Sequence, residues 1–443
     1  MRNLIFALVL STFAICGCGH SVSEKDPACW ITDEERDARI AIDFNRDSAY
    51  IVNYLKEFYP ELTAEQVASW EASNALENMV INGQKRYFKN AGRNLFRIDR
   101  EAKAVYEAKT GETDGEGDFT AETIATMKEV IASGKNCVNP IEFTKTFRMT
   151  VDADAVPAGK TVRVWMPYPR EDQSSITDVK LIATSQPDYI IAPDEYAHKS
   201  IYMEKTAVAG EPTVFTYTFS FKTAARWFFV TPDNIKPYDT GSELYRTYTS
   251  ERDRHVIFTD ELKALTAQVV GSETNPYLKA KAIFDWILEN IPWASSREYS
   301  TMDNIPMYVI SNMHGDCGMM GLLYITMCRI AGVPARWQSG WTAEESGCGM
   351  HDWCETYYEG IGWVPTDPSY GHHYKAVNVE GYDCEYYLTG IDRYRLICNS
   401  DYGQPFYPAK KFIRSETVDF QRGEVEWEGG NLYFNQWTGW FDN

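Results

Sequence analysis

The spacing of hydrophobic positions changes several times along the chain. Behind Met1–Arg2–Asn3, the run Leu4–Ile15 is uniformly apolar for about a dozen residues, short of the ~20 that a bilayer-spanning helix needs, and reads as a signal segment. From about Pro27 to Pro140 the period is helical. Thr32–Glu35 and Thr63–Gln66 have capping-box form, each predicting a helix start, and Ala41, Tyr50, Ile51, Tyr54, Leu55 and Tyr59 give a partly apolar stripe. A Gly/Asp/Glu-rich break at Gly111–Asp118 precedes a further helix starting near Thr120. A two-residue beat then takes over, in Phe147–Met149–Val151, Val162–Val164–Met166 and Phe215–Tyr217–Phe219–Phe221, predicting half-buried strands of a small antiparallel sandwich over 141–245. A helical run returns at Lys279–Asn290 and a strongly apolar one at Met319–Ile330, followed by alternating stretches at His351–Tyr358 and Ile361–Thr366.

Composition narrows the setting. A chain of 443 residues implies two or three domains. With 63 acidic against 43 basic side chains the net charge is −20, a surface that repels phosphates and excludes nucleic acid as an expected partner. Ten cysteines and thirteen tryptophans fit an exported protein. In Ile15–Cys16–Gly17–Cys18 a small residue stands just before Cys18, which resembles the lipobox of bacterial lipoproteins. It implies cleavage after residue 17, lipidation of Cys18, and a place in the bacterial cell envelope, on the periplasmic side or the outer-membrane surface, with the membrane reached through that anchor. Eight cysteines then remain. With Cys317 free, an odd number is left, and Cys328, about three helical turns further along an apolar helix, is the expected second free thiol. The other six allow fifteen pairings, among which Cys384–Cys398 is suggested by proximity and Cys29–Cys137 by the ends of one domain.

The chemistry concentrates between Gly315 and Tyr370. Gly315–Asp316–Cys317–Gly318 opens the apolar helix. A cysteine at a helix start lies near unpaired amides and the positive end of the macrodipole, which favours thiolate, and Asp316 is placed to cap. The two glycines permit bending and close approach of a substrate. His351–Tyr358 and Ile361–Thr366 read as a hairpin; pairing about residue 359 sets His351 opposite Asp367. Cys317, His351 and Asp367 then supply nucleophile, base and orienting carboxylate for acyl transfer. Strand alternation turns Trp353 and Glu355 to the face of His351 and Cys354 to the other.

A cysteine opening a helix, Gly332–Val333–Pro334–Ala335–Arg336, His351–Asp352–Trp353–Cys354–Glu355 and Gly362–Trp363–Val364–Pro365–Thr366–Asp367–Pro368 together resemble the transglutaminase-like superfamily, whose core is a circularly arranged relative of papain-like cysteine proteases. The resemblance covers roughly 255–375. The segment Val164–Pro169 with Gln173 is similar to part of the β domain that precedes such cores in bacterial relatives. The expected fold class is therefore α+β: a transglutaminase-like core over 246–375, preceded by the β-sandwich-like domain and the helical region 18–140, with 376–443 as an extension packing on the core. The resemblance implies thiol acyl chemistry on a protein or peptide substrate, without a cofactor. It offers Trp293, where relatives often carry Tyr, and Trp353 as substrate contacts. Its members include crosslinkers, deglycosylases, amidases and proteases.

The expected activity is hydrolysis of amide or peptide bonds through a thioester. An exposed site in a dilute envelope meets far more water than any one amine, which ranks protein crosslinking second and a silent binding module third. Cys348–x2–His351–x2–Cys354 has metal-ligand spacing, but the odd separation of His351 and Cys354 on one strand sends them to opposite faces, so no metal is expected there. The tail tryptophans Trp427, Trp437 and Trp440 are expected to pack rather than bind ligand.

Overall fold

The computed structural model describes residues 31–112, 120–345, 347–372, 377–379 and 381–442. The signal segment, Cys16, Cys18, Cys29 and most of the Gly111–Asp118 break lie outside them.

Thr32 caps helix Asp33–Asp43 by accepting from the Glu35 amide, and Thr63 and Gln66 form a complete capping box on helix Ala64–Ala72. Helices Ser48–Lys56, Ala91–Ile98 and Arg100–Thr110 complete the region around a small core of Phe44, Ile51, Leu55, Phe88, Leu95 and Phe96. The region is not all helical. Asn78–Ile81 and Gln84–Tyr87 pair as a hairpin across Asn82–Gly83, both at positive φ. That dipeptide is the strongest short hairpin signal, and the helical reading passed over it.

This small region is docked firmly. Arg39, 1% exposed, donates to the carbonyls of Ser415 and Arg414, while Asn94 exchanges hydrogen bonds with the Ser295 backbone in both directions. Asp43 accepts from the Glu298 amide and pairs with Lys89.

Helix Thr120–Ser133 leads into the sandwich. One sheet places Thr213–Trp227 beside Cys137–Val151, which in turn pairs Trp437–Phe441; Ile176–Thr184 and Gly390–Ile391 also pair Thr213–Trp227. The other runs Gly430–Leu432, Glu424–Trp427, Thr161–Pro167, Ser200–Thr206, Tyr189–Ile191. The alternating residues expected to be buried are buried: Phe147, Met149 and Val151 meet Val162, Val164 and Met166, with Phe215, Tyr217, Phe219 and Phe221. The sandwich is not confined to 141–245. It takes four strands from the tail, because the two sheets of its first part leave edges and apolar faces that Gly390–Ile391, Glu424–Trp427, Gly430–Leu432 and Trp437–Phe441 cover. Trp437 is accordingly buried and Trp440 partly exposed.

The third unit has helix Cys317–Ile330 at its centre, with twelve of its fourteen residues buried. An all-round apolar helix can only be stable inside. Helices Asp260–Val270, Pro276–Asn290 and Ile305–Asn312 surround it, and a sheet ordered Gly362–Thr366, Gly347–Tyr358, Ala335–Glu344, Arg395–Asn399 covers one side. The far face of this sheet is itself buried on the sandwich. Trp341 and Trp353 belong to the sandwich core, where Trp341 meets Phe441 at 4.9 Å and Phe147 at 6.1 Å between ring centroids.

The disulfide expectations are corrected. Cys398 is a free thiol buried in the sandwich core, whereas Cys384 is buried in the core around the central helix, so the two lie in different clusters and are not paired with each other. Cys137 is also free. Cys328 is free and fully buried, as its place on the apolar helix required.

If the sheet and sandwich form one cooperative unit, Trp341→Ala costs about 3–5 kcal/mol. Chemical denaturation should show this as a lower midpoint for a single transition reported by both regions; a loss below ~1 kcal/mol would mean that the junction contributes little to stability.

Candidate active site

The central helix begins at Cys317, where Asp316 is the N-cap and its Oδ1 accepts from the Met319 amide at 3.1 Å. Tyr299 Oη donates to the same Oδ1 at 2.6 Å. The loop ahead of the helix is held by segment 292–294: the Gly315 amide donates to the Pro292 carbonyl, and the Ala294 amide to the Gly315 carbonyl. Gly318 is required by packing rather than by substrate. A Cβ there would stand 2.3 Å from Tyr299 Oη and 2.6 Å from Asp352 Oδ2, both impossible contacts.

Strand Gly347–Tyr358 carries the next residues. Its pairing with Gly362–Thr366 runs from Cys354↔Thr366 to Tyr358↔Gly362, so the register centres on residue 360 and not 359. The reason is the turn, which holds three residues, Glu359–Ile361, with Gly360 at φ +87°. His351 is therefore not directly opposite Asp367. Extending the ladder would set Asp367 opposite Trp353, leaving His351 its diagonal neighbour on the same face, still within side-chain reach. Asp367 follows the strand and caps the short helix Pro368–Gly371, its Oδ1 accepting from the Tyr370 amide at 3.0 Å.

His351 Nε2 and Asp367 Oδ2 are 2.7 Å apart and both residues are buried. Arg395 Nη1 lies 2.9 Å from the same Oδ2, and Arg395 also pairs with Asp392. Burial works to raise the Asp367 carboxyl, but the His351 and Arg395 contacts outweigh it and hold the group below the usual carboxylate range. Trp353 stacks on the His351 ring at 5.8 Å and Tyr370 approaches it at 4.6 Å.

The thiol differs from expectation. Cys317 is partly exposed, and its Sγ donates to Asp352 Oδ2 at 3.6 Å. Burial, then the Asp352 and Asp316 carboxylates, push its pKa well above that of an ordinary thiol. The helix terminus does not prevail here, because its half-charge is met by two nearby acids. Those acids belong to a larger group. Gln421 Nε2 donates to Asp352 Oδ1 at 2.7 Å and to the His351 carbonyl at 2.9 Å, bringing Asp419 and Glu416 close. Burial chiefly pushes Asp316 up to about 6 and Asp419 up to about 7; it also drives Asp352 and Glu416 well above their ordinary values, with neighbouring acids adding to each.

The two faces of the strand follow the alternation expected. Cys354 Sγ donates to the Gly321 carbonyl on the helix side, while Glu355 on the His351 side pairs with Arg336 and Arg226. Cys354 and His351 therefore face apart. Trp293 is 37% exposed, with the Arg97 guanidinium 4.6 Å from its ring. Trp353 is fully buried and donates to Gln338 Oε1, so it backs the histidine and is not open to a substrate. Gln338 in turn donates to Gln173. The sequence reading missed Asp352, Arg395, Tyr299 and Gln421. Strand parity could have found Asp352, since it shares the face of Cys354 toward the helix.

The acid group has a consequence for stability. Unfolded carboxyls titrate near pH 4. Groups raised in the folded state bind protons there that the unfolded chain has released, so their stabilising effect, complete below about pH 4, is lost as pH rises toward about 7. Asp367, held low, acts oppositely, and its window lies below about pH 4. The denaturation midpoint is expected to be higher at about pH 5 than at about pH 7.5, with Asp419→Asn reducing the difference. A midpoint that rises over that interval in the wild type would contradict the assignment.

Residues 263–368 match the model of the transglutaminase-like superfamily. The chain is 24% identical over 145 residues to the uncharacterized protein YebA of Bacillus subtilis, covering 27% of this chain and only 19% of YebA. It is 23% identical over 261 residues to an uncharacterized protein of Haemophilus influenzae, covering 51% of this chain and 68% of the relative. Among solved structures, a candidate cysteine protease of Cytophaga hutchinsonii is 16% identical with a TM-score of 0.42, covering 69% of this chain and 99% of that one. The periplasmic domain of TgpA from Pseudomonas aeruginosa is 14% identical with a TM-score of 0.28, covering 51% and 88%. The helix-opening cysteine and the paired strands that follow thus lie within residues 263–368, the segment that matches the transglutaminase-like superfamily.

Proposed function

We propose that this chain is a thiol-dependent hydrolase that cleaves amide or peptide bonds through Cys317, His351 and Asp367. The observation that carries the reading is the buried 2.7 Å contact of His351 Nε2 with Asp367. With Nε2 engaged, Nδ1 is the ring nitrogen left to exchange a proton with sulfur. Arg395 keeps Asp367 charged, and the charged carboxylate favours the imidazolium that forms.

In the proposed reaction the Cys317 proton passes to Nδ1 and the sulfur adds to the substrate carbonyl. The C–N bond then breaks, the leaving amine taking the proton from His351. Water, deprotonated by the same ring, attacks the thioester and releases acid and free thiol. The Cys317 backbone amide, at the helix start, is placed to donate to the oxyanion. Trp293, partly exposed beside the nucleophile loop, is the side chain we assign to substrate contact. The substrate is a protein or peptide of the cell envelope, a location that rests on the Leu4–Ile15 run and on Cys18 as lipid anchor.

Cys317→Ala is expected to lower turnover of peptide or glycopeptide amides by about 10³-fold or more, and Asp367→Asn by about 10²–10⁴-fold. A thioester on the Cys317 peptide should be trapped by mass spectrometry. Unchanged turnover in the alanine variant removes the mechanism. Incorporation of a labelled amine faster than hydrolysis would replace it with crosslinking, and absence of turnover together with retained peptide binding would favour a binding module.

A further inference from the structure

The mechanism leaves one group in contact with the reacting sulfur unused. Asp352 is 2% exposed, follows His351 directly, and points to the helix side of the strand, where its Oδ2 takes the Cys317 thiol hydrogen bond at 3.6 Å. Its position is fixed from three directions. Gln421 of the tail holds Oδ1 at 2.7 Å, Tyr299 Oη lies 3.4 Å from Oδ2, and the absence of a side chain at Gly318 leaves the space it occupies. We propose, building on the hydrolase reading, that Asp352 is a further catalytic residue that restrains the nucleophile, holding Cys317 as a thiol in the substrate-free site so that His351 receives the proton only after this hydrogen bond is given up.

The chemistry follows from charge. A sulfur that donates to a carboxylate must keep its proton, and a thiolate formed beside that carboxylate would be repelled by it. Nearby groups reinforce the restraint. Asp316 faces Asp352 from the helix cap, and Asp419 and Glu416 approach from the tail; Arg422 and Arg414 act on Asp419, while Tyr299 and Gln421 contribute neutral contacts. Among the described residues, every ionised group whose field reaches Cys317 most strongly is acidic. Activation then consists of breaking S–H···O and moving the proton to His351 Nδ1; no other atom changes its bonding. Separating the sulfur from Asp352 is a step that an incoming substrate carbonyl can drive by competing for the sulfur.

The test is the alkylation of Cys317 by iodoacetamide across the pH range, followed on the Cys317 peptide by mass spectrometry because other free thiols are present. Asp352→Asn keeps the shape and removes the charge. It should raise the alkylation rate near neutral pH by about tenfold and lower the pH midpoint by about one unit. An unchanged rate, or a midpoint that moves up, overturns the proposal. Should Asp352→Asn fail to fold, the S–H stretching band in the infrared difference spectrum between wild type and Cys317→Ala decides it. A band at neutral pH, displaced to lower frequency by donation, is expected; no S–H band would mean a thiolate and would overturn it. Alkylation does not require turnover, so loss of the hydrolase reading through an active Cys317→Ala variant would be separable from loss of the restraint.

Discussion

Strand Gly347–Tyr358 is packed on both faces, and the alternation of its side chains is the constraint on which the site depends. Toward the central helix it presents Asp352, which receives the Cys317 thiol, Cys354, which donates to the Gly321 carbonyl, and Thr356, 2.8 Å from Tyr324 Oη. Toward the sandwich it presents His351, in contact with Asp367, and Trp353 and Glu355, which bond to Gln338 and Arg336 of the neighbouring strand Ala335–Glu344. A slip of one residue would exchange the two sets, setting His351 against an apolar helix and Cys354 among charges. Such a register carries a buried unpaired group on each face, which is why a single pairing is strongly favoured.

The charges around the site are arranged on the same two sides and have opposite characters. On the His351 side each buried acid meets a cation: Asp367 and Asp392 share Arg395, and Glu355 has Arg336 and Arg226. On the Cys317 side acids crowd one another: Gln421 and Tyr299 give Asp352 neutral contacts, and Arg422 and Arg414 act on Asp419. Burying acids close together is costly to their charged forms, which raises Asp352, Asp316 and Asp419 above their ordinary values. The strand thus has arginine-paired acids on the His351 face and acids crowded around the sulfur on the other.

Much of this was legible in the chain because it depends on local rules. The capping residues Thr32, Thr63 and Asp316, the buried stripe of Phe215–Phe221 and the opposed faces of His351 and Cys354 follow from periodicity and from the needs of unpaired amides. The Asn82–Gly83 turn was equally local and was overlooked under a helical reading of its surroundings. The three-residue turn at Glu359–Ile361 displaced the register by one position, yet the diagonal reach of Asp367 preserved its contact with His351. What was not legible is long-range. Arg395 and Gln421 meet the strand across chain separations that no spacing rule connects, and the dominance of burial over the helix terminus at Cys317 depends on acids from three elements.

Those distant contacts also bear on what the matched domain is by itself. Residues 263–368 contain Cys317, His351 and Asp367, but not Arg395, which holds Asp367 ionised, nor Gln421, which clamps Asp352 and the His351 carbonyl. Both come from the tail, which then continues into Glu424–Trp427 and Trp437–Phe441 and completes both sheets of the sandwich. Arg395 is held by the pairing of Arg395–Asn399 with Ala335–Glu344, Gln421 stands just ahead of the sandwich strand Glu424–Trp427, and the sandwich is in turn anchored by Trp341 and Trp353 from the core sheet. Site and β domain are therefore mutually dependent: the tail that closes the sandwich also supplies the groups that hold Asp367 low and orient Asp352 beside the sulfur.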